Sequence, residues 1–186
     1  MSGNLTGIDV AGTVGVFNIR SNTVGNSTVD NIRTGYTVSG GNLSNAGTFI
    51  STTGTTSPMV GIRSTATGTT LTISSNILRG WANGTTAGGV LTGIIATGAN
   101  STSVTISSNQ LGNAVDWMRY AFANTSATVT GISEVGMSVS APLTISSNNF
   151  QGITYSVQGS AVHTYINWNH GPSGVTDNIN SNTFTN

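Results

Sequence analysis

The stretch LTISSNILRG at residues 71–80 returns as VTISSNQLGN at 104–113 and as LTISSNNFQG at 143–152. Weaker copies, FNIRSNTV at 17–24 and DNINSNTF at 177–184, extend the series. A phrase repeated at 20–50-residue intervals constrains a fold strongly, because every unit must take one shape and meet its neighbours in one way. Aligned, the copies place Ile19, Ile73, Ile106, Ile145 and Ile179 in one column. Ser21, Ser75, Ser108, Ser147 and Ser181 make a second, and Asn22, Asn76, Asn109, Asn148 and Asn182 a third. Two residues beyond each Asn stands Val24, Leu78, Leu111, Phe150 or Phe184.

Another motif precedes each copy. It reads LTGIDVAG (5–12), MVGIRSTATG (59–68), LTGIIATG (91–98), VTGISEVG (129–136) and HTYINWNHG (163–171), with a column at Ile8, Ile62, Ile94, Ile132 and Ile166. The Asn column advances by 54, 33, 39 and 34 residues and this Ile column by 54, 32, 38 and 34. Two motifs that drift together define real units of variable length. Their apolar residues alternate at period two, the pattern of strands buried on one face. Thr, Val and Ile favour strands, and Lys is absent. A unit that cannot bury its face alone must stack on its neighbours. Parallel strands stack about 4.8 Å apart, so the Ile columns become inward stacks. The Asn side chains then form a ladder at one corner, each amide donating to one neighbour and accepting from the other. Asn also tolerates the left-handed backbone that such a corner needs.

The expected fold is therefore all-β: a parallel β-helix of about five coils, a single domain over 1–186. A propeller is the alternative for an all-β repeat, but its blades need four strands, and these units show two clear strands and a vague third. The 54-residue step leaves a stretch, 25–56, that is either a protruding loop or a degenerate extra coil. It contains YTVSGGNLS, a hairpin-like run with a Gly-Gly turn.

The ISSN corners and stacked Asn resemble the right-handed parallel β-helices of the pectate-lyase-like class. GIRSTATGTTLTISSN (61–76), with VGNSTVDNIRTGYTVSG (24–40) upstream, resembles long secreted proteins of Bacteroidota that end in a type IX secretion signal. This resemblance spans essentially the whole chain. It implies a right-handed coil, a secreted or cell-surface location, and a segment of a larger protein whose signal and sorting segments lie outside these residues. Repeat motifs close to both termini, with no capping helix, lead to the expectation of uncapped ends and of end-to-end self-association.

Charged residues make up 5% of the chain, and the formal net charge is +0. No basic face exists for nucleic acid, and no apolar run has the roughly 18 residues of a membrane-spanning helix. Cysteine is absent, which removes disulfides and thiolate metal sites.

Polysaccharide hydrolysis needs two carboxylates around the bond, and lyase chemistry commonly needs clustered acids. The acids here are Asp9, Asp30, Asp116, Asp177 and Glu134. Asp9 aligns with Arg63 as a surface ion pair, and Glu134 falls one residue out of that column. Neither a carboxylate pair nor a metal cluster is legible, although His163, His170 and Asp177 lie near one another in sequence. No catalytic residue and no cofactor is expected. Trp81, Trp117 and Tyr155 follow their Asn by 5, 8 and 7 residues on one side of the coil. Exposed, they are candidates for glycan contact; otherwise they plug the core. Thr72, Thr105 and Thr144, widened by Thr70 and Ser103, form an uncharged outward array of the kind that suits ice binding, interrupted by Asn18, Asn178 and Pro142. The leading expectation is a non-catalytic structural or adhesive segment. A carbohydrate-binding or polysaccharide-active module comes second and an ice-binding face third.

Overall fold

A computed structural model describes residues 5–13, 15–25, 32–34, 59–83, 90–112, 117–120, 128–135, 141–155, 162–169 and 175–185. Every element assigned among them is a β-strand, and every strand pairing is parallel. The strands form four sheets. The first contains Leu5–Val10, Met59–Ser64, Leu91–Ala96, Val129–Val135 and His163–Asn169, paired in chain order. The second contains Val16–Arg20, Gly68–Ser74, Asn100–Ser107, Leu143–Ser146 and Asn178–Asn180, again in chain order. A third sheet of two- and three-residue strands runs from Thr23–Val24 through Ile77–Leu78, Gln110–Leu111 and Asn149–Gln151 to Thr183–Thr185. The fourth has four strands: Ile32–Thr34, Trp81–Asn83, Met118–Tyr120 and Ile153–Tyr155. Three parallel sheets of five strands, each visited in chain order, are consistent with a parallel β-helix.

The register follows the sequence columns. Ile8, Ile62, Ile94, Ile132 and Ile166 are successive partners in the first sheet. Ile19, Ile73, Ile106, Ile145 and Ile179 are successive partners in the second. Period-two burial explains why the second sheet forms where it does. In Gly68–Ser74 and Leu143–Ser146, buried residues alternate with half-buried or exposed ones. The central Ile and Leu of these stacks, from Ile62 to Ile145, have no exposed surface. In the second sheet a one-residue slip would send Ile73, Ile106 and Ile145 to the outward side, so burial fixes the register there.

Each repeat thus carries up to four strands rather than two clear strands and a vague third. The third- and fourth-sheet strands span only two or three residues, too short to show a period. Within the stretch 25–56, Ile32–Thr34 is an in-register partner of Trp81–Asn83 in the fourth sheet. Most of that stretch, including YTVSGGNLS, lies outside the described residues, as do Asp30, Asp116 and His170.

Candidate functional site

The corner between the second and third sheets is built identically in each repeat. The chain leaves the second sheet through one serine in the left-handed region: Ser21, Ser75, Ser108, Ser147 and Ser181 have φ of 55–58°. A non-glycine residue pays about 1–2 kcal/mol for that conformation, so something must hold it there. The left-handed residue is the exposed Ser, not the Asn that sequence reasoning assigned to the turn. The reason is positional: the serine side chain points out to water, and the following Asn is turned inward, where its amide is fully used.

Asn76 shows the pattern. Its Oδ1 accepts from the backbone N–H and the Nδ2 of Asn22, both at 3.0 Å. Its Nδ2 donates back to the Ile19 carbonyl at 2.9 Å and forward to Asn109 Oδ1 at 2.9 Å. Asn109 repeats this with the Ile73 carbonyl and Asn148, and Asn148 with the Ile106 carbonyl and Asn182. Both hydrogens and both acceptor sites of an interior amide are satisfied, and Asn76, Asn109 and Asn148 are fully buried. The backbone ladder continues past the corner, with Gln110 N donating to the Asn76 carbonyl at 2.8 Å.

A further column was missed by the sequence reading. Gly7, Gly61, Gly93 and Gly131 precede the Ile of the first-sheet motif, and Tyr165 takes this place in the last repeat. Around Gly61 the period-two burial breaks, because Gly61 and Ile62 are both buried. A Cβ on Gly61 would lie 2.5 Å from the Trp81 ring and 2.6 Å from the Gly93 carbonyl oxygen. A Cβ on Gly93 would overlap the Leu111 side chain and lie 2.6 Å from the Gly131 oxygen and 3.0 Å from the Trp117 ring. The glycines make a notch, and the side chains across the coil fill it. The recurring TGI was the available signal.

That notch accounts for the aromatics. Trp81 and Trp117 are 2% and 0% exposed. Both rings therefore plug the core, the second of the two arrangements open to them. Trp81 Nε1 donates to the Val24 carbonyl at 3.2 Å. The candidates do not form a row: Trp81 is in register with Met118, and Tyr155 with Tyr120. The Tyr155 side chain lies outside what is described. In the last repeat Phe184 stacks on Phe150 with centroids 5.1 Å apart and packs against Tyr165 at 5.0 Å.

Asp9 and Arg63 are register partners and form the expected surface pair, with Arg63 Nε donating to Asp9 Oδ1 at 3.0 Å. The hydrogen bond from Arg63 holds the Asp9 carboxyl below its ordinary range, and Asp9 raises the Arg63 guanidinium. Glu134 lies one residue beyond that column, between Ala96 and Trp168, and is buried. Partial burial lowers the His163 imidazole below its ordinary value. No group of three or more His, Cys, Asp or Glu able to hold a metal occurs among the described residues. No helix among them is long and apolar enough to cross a membrane.

The outward face of the second sheet is the most regular surface. Thr72, Thr105 and Thr144 are register partners, flanked by Asn18 at one end and Asn178 at the other. Ser74, Ser107 and Ser146 form a parallel column between Arg20 and Asn180. Repeating hydroxyls therefore stand about 4.8 Å apart across strands and about 6.6 Å apart along them. β-Branched Thr has few rotamers to lose there.

Comparison with protein-family models, with curated proteins and with solved structures finds no match to this chain.

Proposed function

We propose that the chain is a non-catalytic structural or adhesive segment of a secreted or cell-surface protein, folded as a right-handed parallel β-helix of about five coils with an asparagine ladder. The observation that carries this reading is the continuity of the hydrogen-bonded Asn column from Asn22 to Asn182, which ties each repeat to the next and whose interior amides, Asn76, Asn109 and Asn148, are buried and fully satisfied. Such a column favours rigidity over movement. The right-handed coil rests on the resemblance of the ISSN corners to known β-helices, and the secreted location on the resemblance of residues 24–40 and 61–76 to secreted repeat proteins. The test is incubation with a panel of soluble polysaccharides, with reducing ends, unsaturated products and binding all measured. No turnover and no saturable binding is expected. Turnover, or saturable binding lost on changing the surface residue Thr105 to Lys, would replace this reading with that of a carbohydrate module.

The in-register hydroxyl array favours a second reading, an ice-binding face. Thermal hysteresis abolished by Thr105→Lys would establish it, and hysteresis unchanged by that substitution would remove it.

A further inference from the structure

Each repeat is tied to its neighbours alone. In all four sheets a strand pairs only with strands of the preceding and the following repeat, in chain order. The asparagine side chains cross the same boundaries one at a time, from Asn22 to Asn76, Asn76 to Asn109, Asn109 to Asn148 and Asn148 to Asn182. Among the described residues no asparagine of the column reaches past the adjoining repeat, and the chain has no cysteine to staple distant ones. The stability of such a stack is a sum of single-repeat and nearest-neighbour contributions.

A boundary of this kind opens in one direction more readily than in others. Hydrogen bonds between parallel strands run across the strands, hence along the stack. Tension along the stack therefore opens the bonds of a rung one after another as it unwinds, rather than loading all of them together. Three side-chain bonds at the corner go with each rung. Between the third and fourth repeats they are Asn109 N–H and Nδ2 to Asn148 Oδ1, and Asn148 Nδ2 to the Ile106 carbonyl. Asn109 and Asn148 are fully buried, so water cannot replace these bonds before the rung lifts. The length released is large. A stacked rung occupies about 4.8 Å. The ladder steps of 54, 33, 39 and 34 residues extend to about 18, 11, 13 and 12 nm.

We propose that the chain is a load-absorbing spacer. Rigid at rest, it gives way one repeat at a time under tension along the stack. It takes a freed repeat back when tension falls, because the rung left behind presents the register on which the freed strands re-form. A stack of fewer than three repeats does not hold. Of the five repeats, two therefore leave singly and the last three give way together. Each single event lengthens the chain by more than ten nanometres, about twentyfold the rung it replaces.

The inference rests on the structural or adhesive reading above, yet the two fail differently: a folded chain without turnover that ruptures in one event removes only this one. Optical tweezers holding the 186-residue chain by its two termini read the events directly. The first should release about 12 nm or about 18 nm, the steps of 34 and 54 residues at the two ends of the ladder. A second single-repeat event and one larger final event should follow. Relaxed after the first event, the freed repeat should re-dock, and the same event should recur on the next pull. A single rupture of the whole stack overturns the proposal, as do first events that match no ladder step or a freed repeat that does not re-dock.

Discussion

Replacing Asn109 by Ala strips an interior rung of the asparagine column. Three partners lose their hydrogen bonds: the backbone N–H and Nδ2 of Asn76, and the Ile73 carbonyl. Asn148 Oδ1 loses one of its two donors but keeps the residue-109 backbone N–H. Each orphaned buried group costs about 1–3 kcal/mol if it stays dry, and water entering the vacated space restores part of that. A loss of about 3–5 kcal/mol is expected, a large share of the roughly 5–15 kcal/mol that stabilises a typical domain. Asn182→Ala removes the same kinds of bond at a half-buried position, where water replaces them, and should cost about 1 kcal/mol. Asn109→Asp separates hydrogen bonding from volume. It is nearly isosteric and keeps an acceptor for Asn76, but it sets oxygen against the Ile73 carbonyl and Asn148 Oδ1. It should destabilise at pH 7 at least as much as Ala does. Urea titration with the slope monitored gives all three values. Equal losses for Asn109→Ala and Asn182→Ala, or a harmless Asn109→Asp, would refute the reasoning.

Gly93→Ala should cost about 2–4 kcal/mol in the same titration, because its Cβ meets the Gly131 oxygen at 2.6 Å and overlaps the Leu111 side chain. Gly15→Ala, with nothing within 4 Å, should be neutral or slightly stabilising. The Asp9 pKa is lowered in the folded state, so its contribution is present above the ordinary value of 3.8 and is lost as pH falls through the folded pKa. Asp9→Asn should flatten that acid limb, and added salt should shrink the difference, since the pair is exposed. The His163 pKa is also lowered, so the unfolded chain takes up the proton first and stability falls as pH drops below about 6.5. Melting midpoints between pH 5 and 7 should show this slope, and His163→Asn should reduce it.

The repeat columns were legible because stacking imposes one residue type at one place in each repeat, and spacing exposes that. The register of Ile8 with Ile62 and of Asn76 with Asn109 followed directly. Less could be read where an element is short. The fourth-sheet strands occupy three residues each, and Trp81, Trp117 and Tyr155 could be counted from their Asn without showing which way they faced. The direction of Trp81 and Trp117 depends on the glycine notch across the coil, at Gly61 and Gly93, 20 or more positions away in sequence. The left-handed serine was hidden for a different reason. Ser and Asn recur together at every corner, and only the backbone shows which of them turns.

The central claim is that repeats tens of residues apart in sequence lie side by side in one parallel register. The chain has no cysteine, so an introduced pair reports on it without background. Thr105 and Thr144 are outward register partners, and adjacent Cα atoms about 4.8 Å apart lie within disulfide range. The double variant Thr105→Cys, Thr144→Cys should cross-link under mild oxidation in native conditions. Thr105→Cys with Ser146→Cys, two residues out of register, should cross-link far more slowly. Equal yields from the two variants, or a faster reaction of the second, would contradict the stacked register.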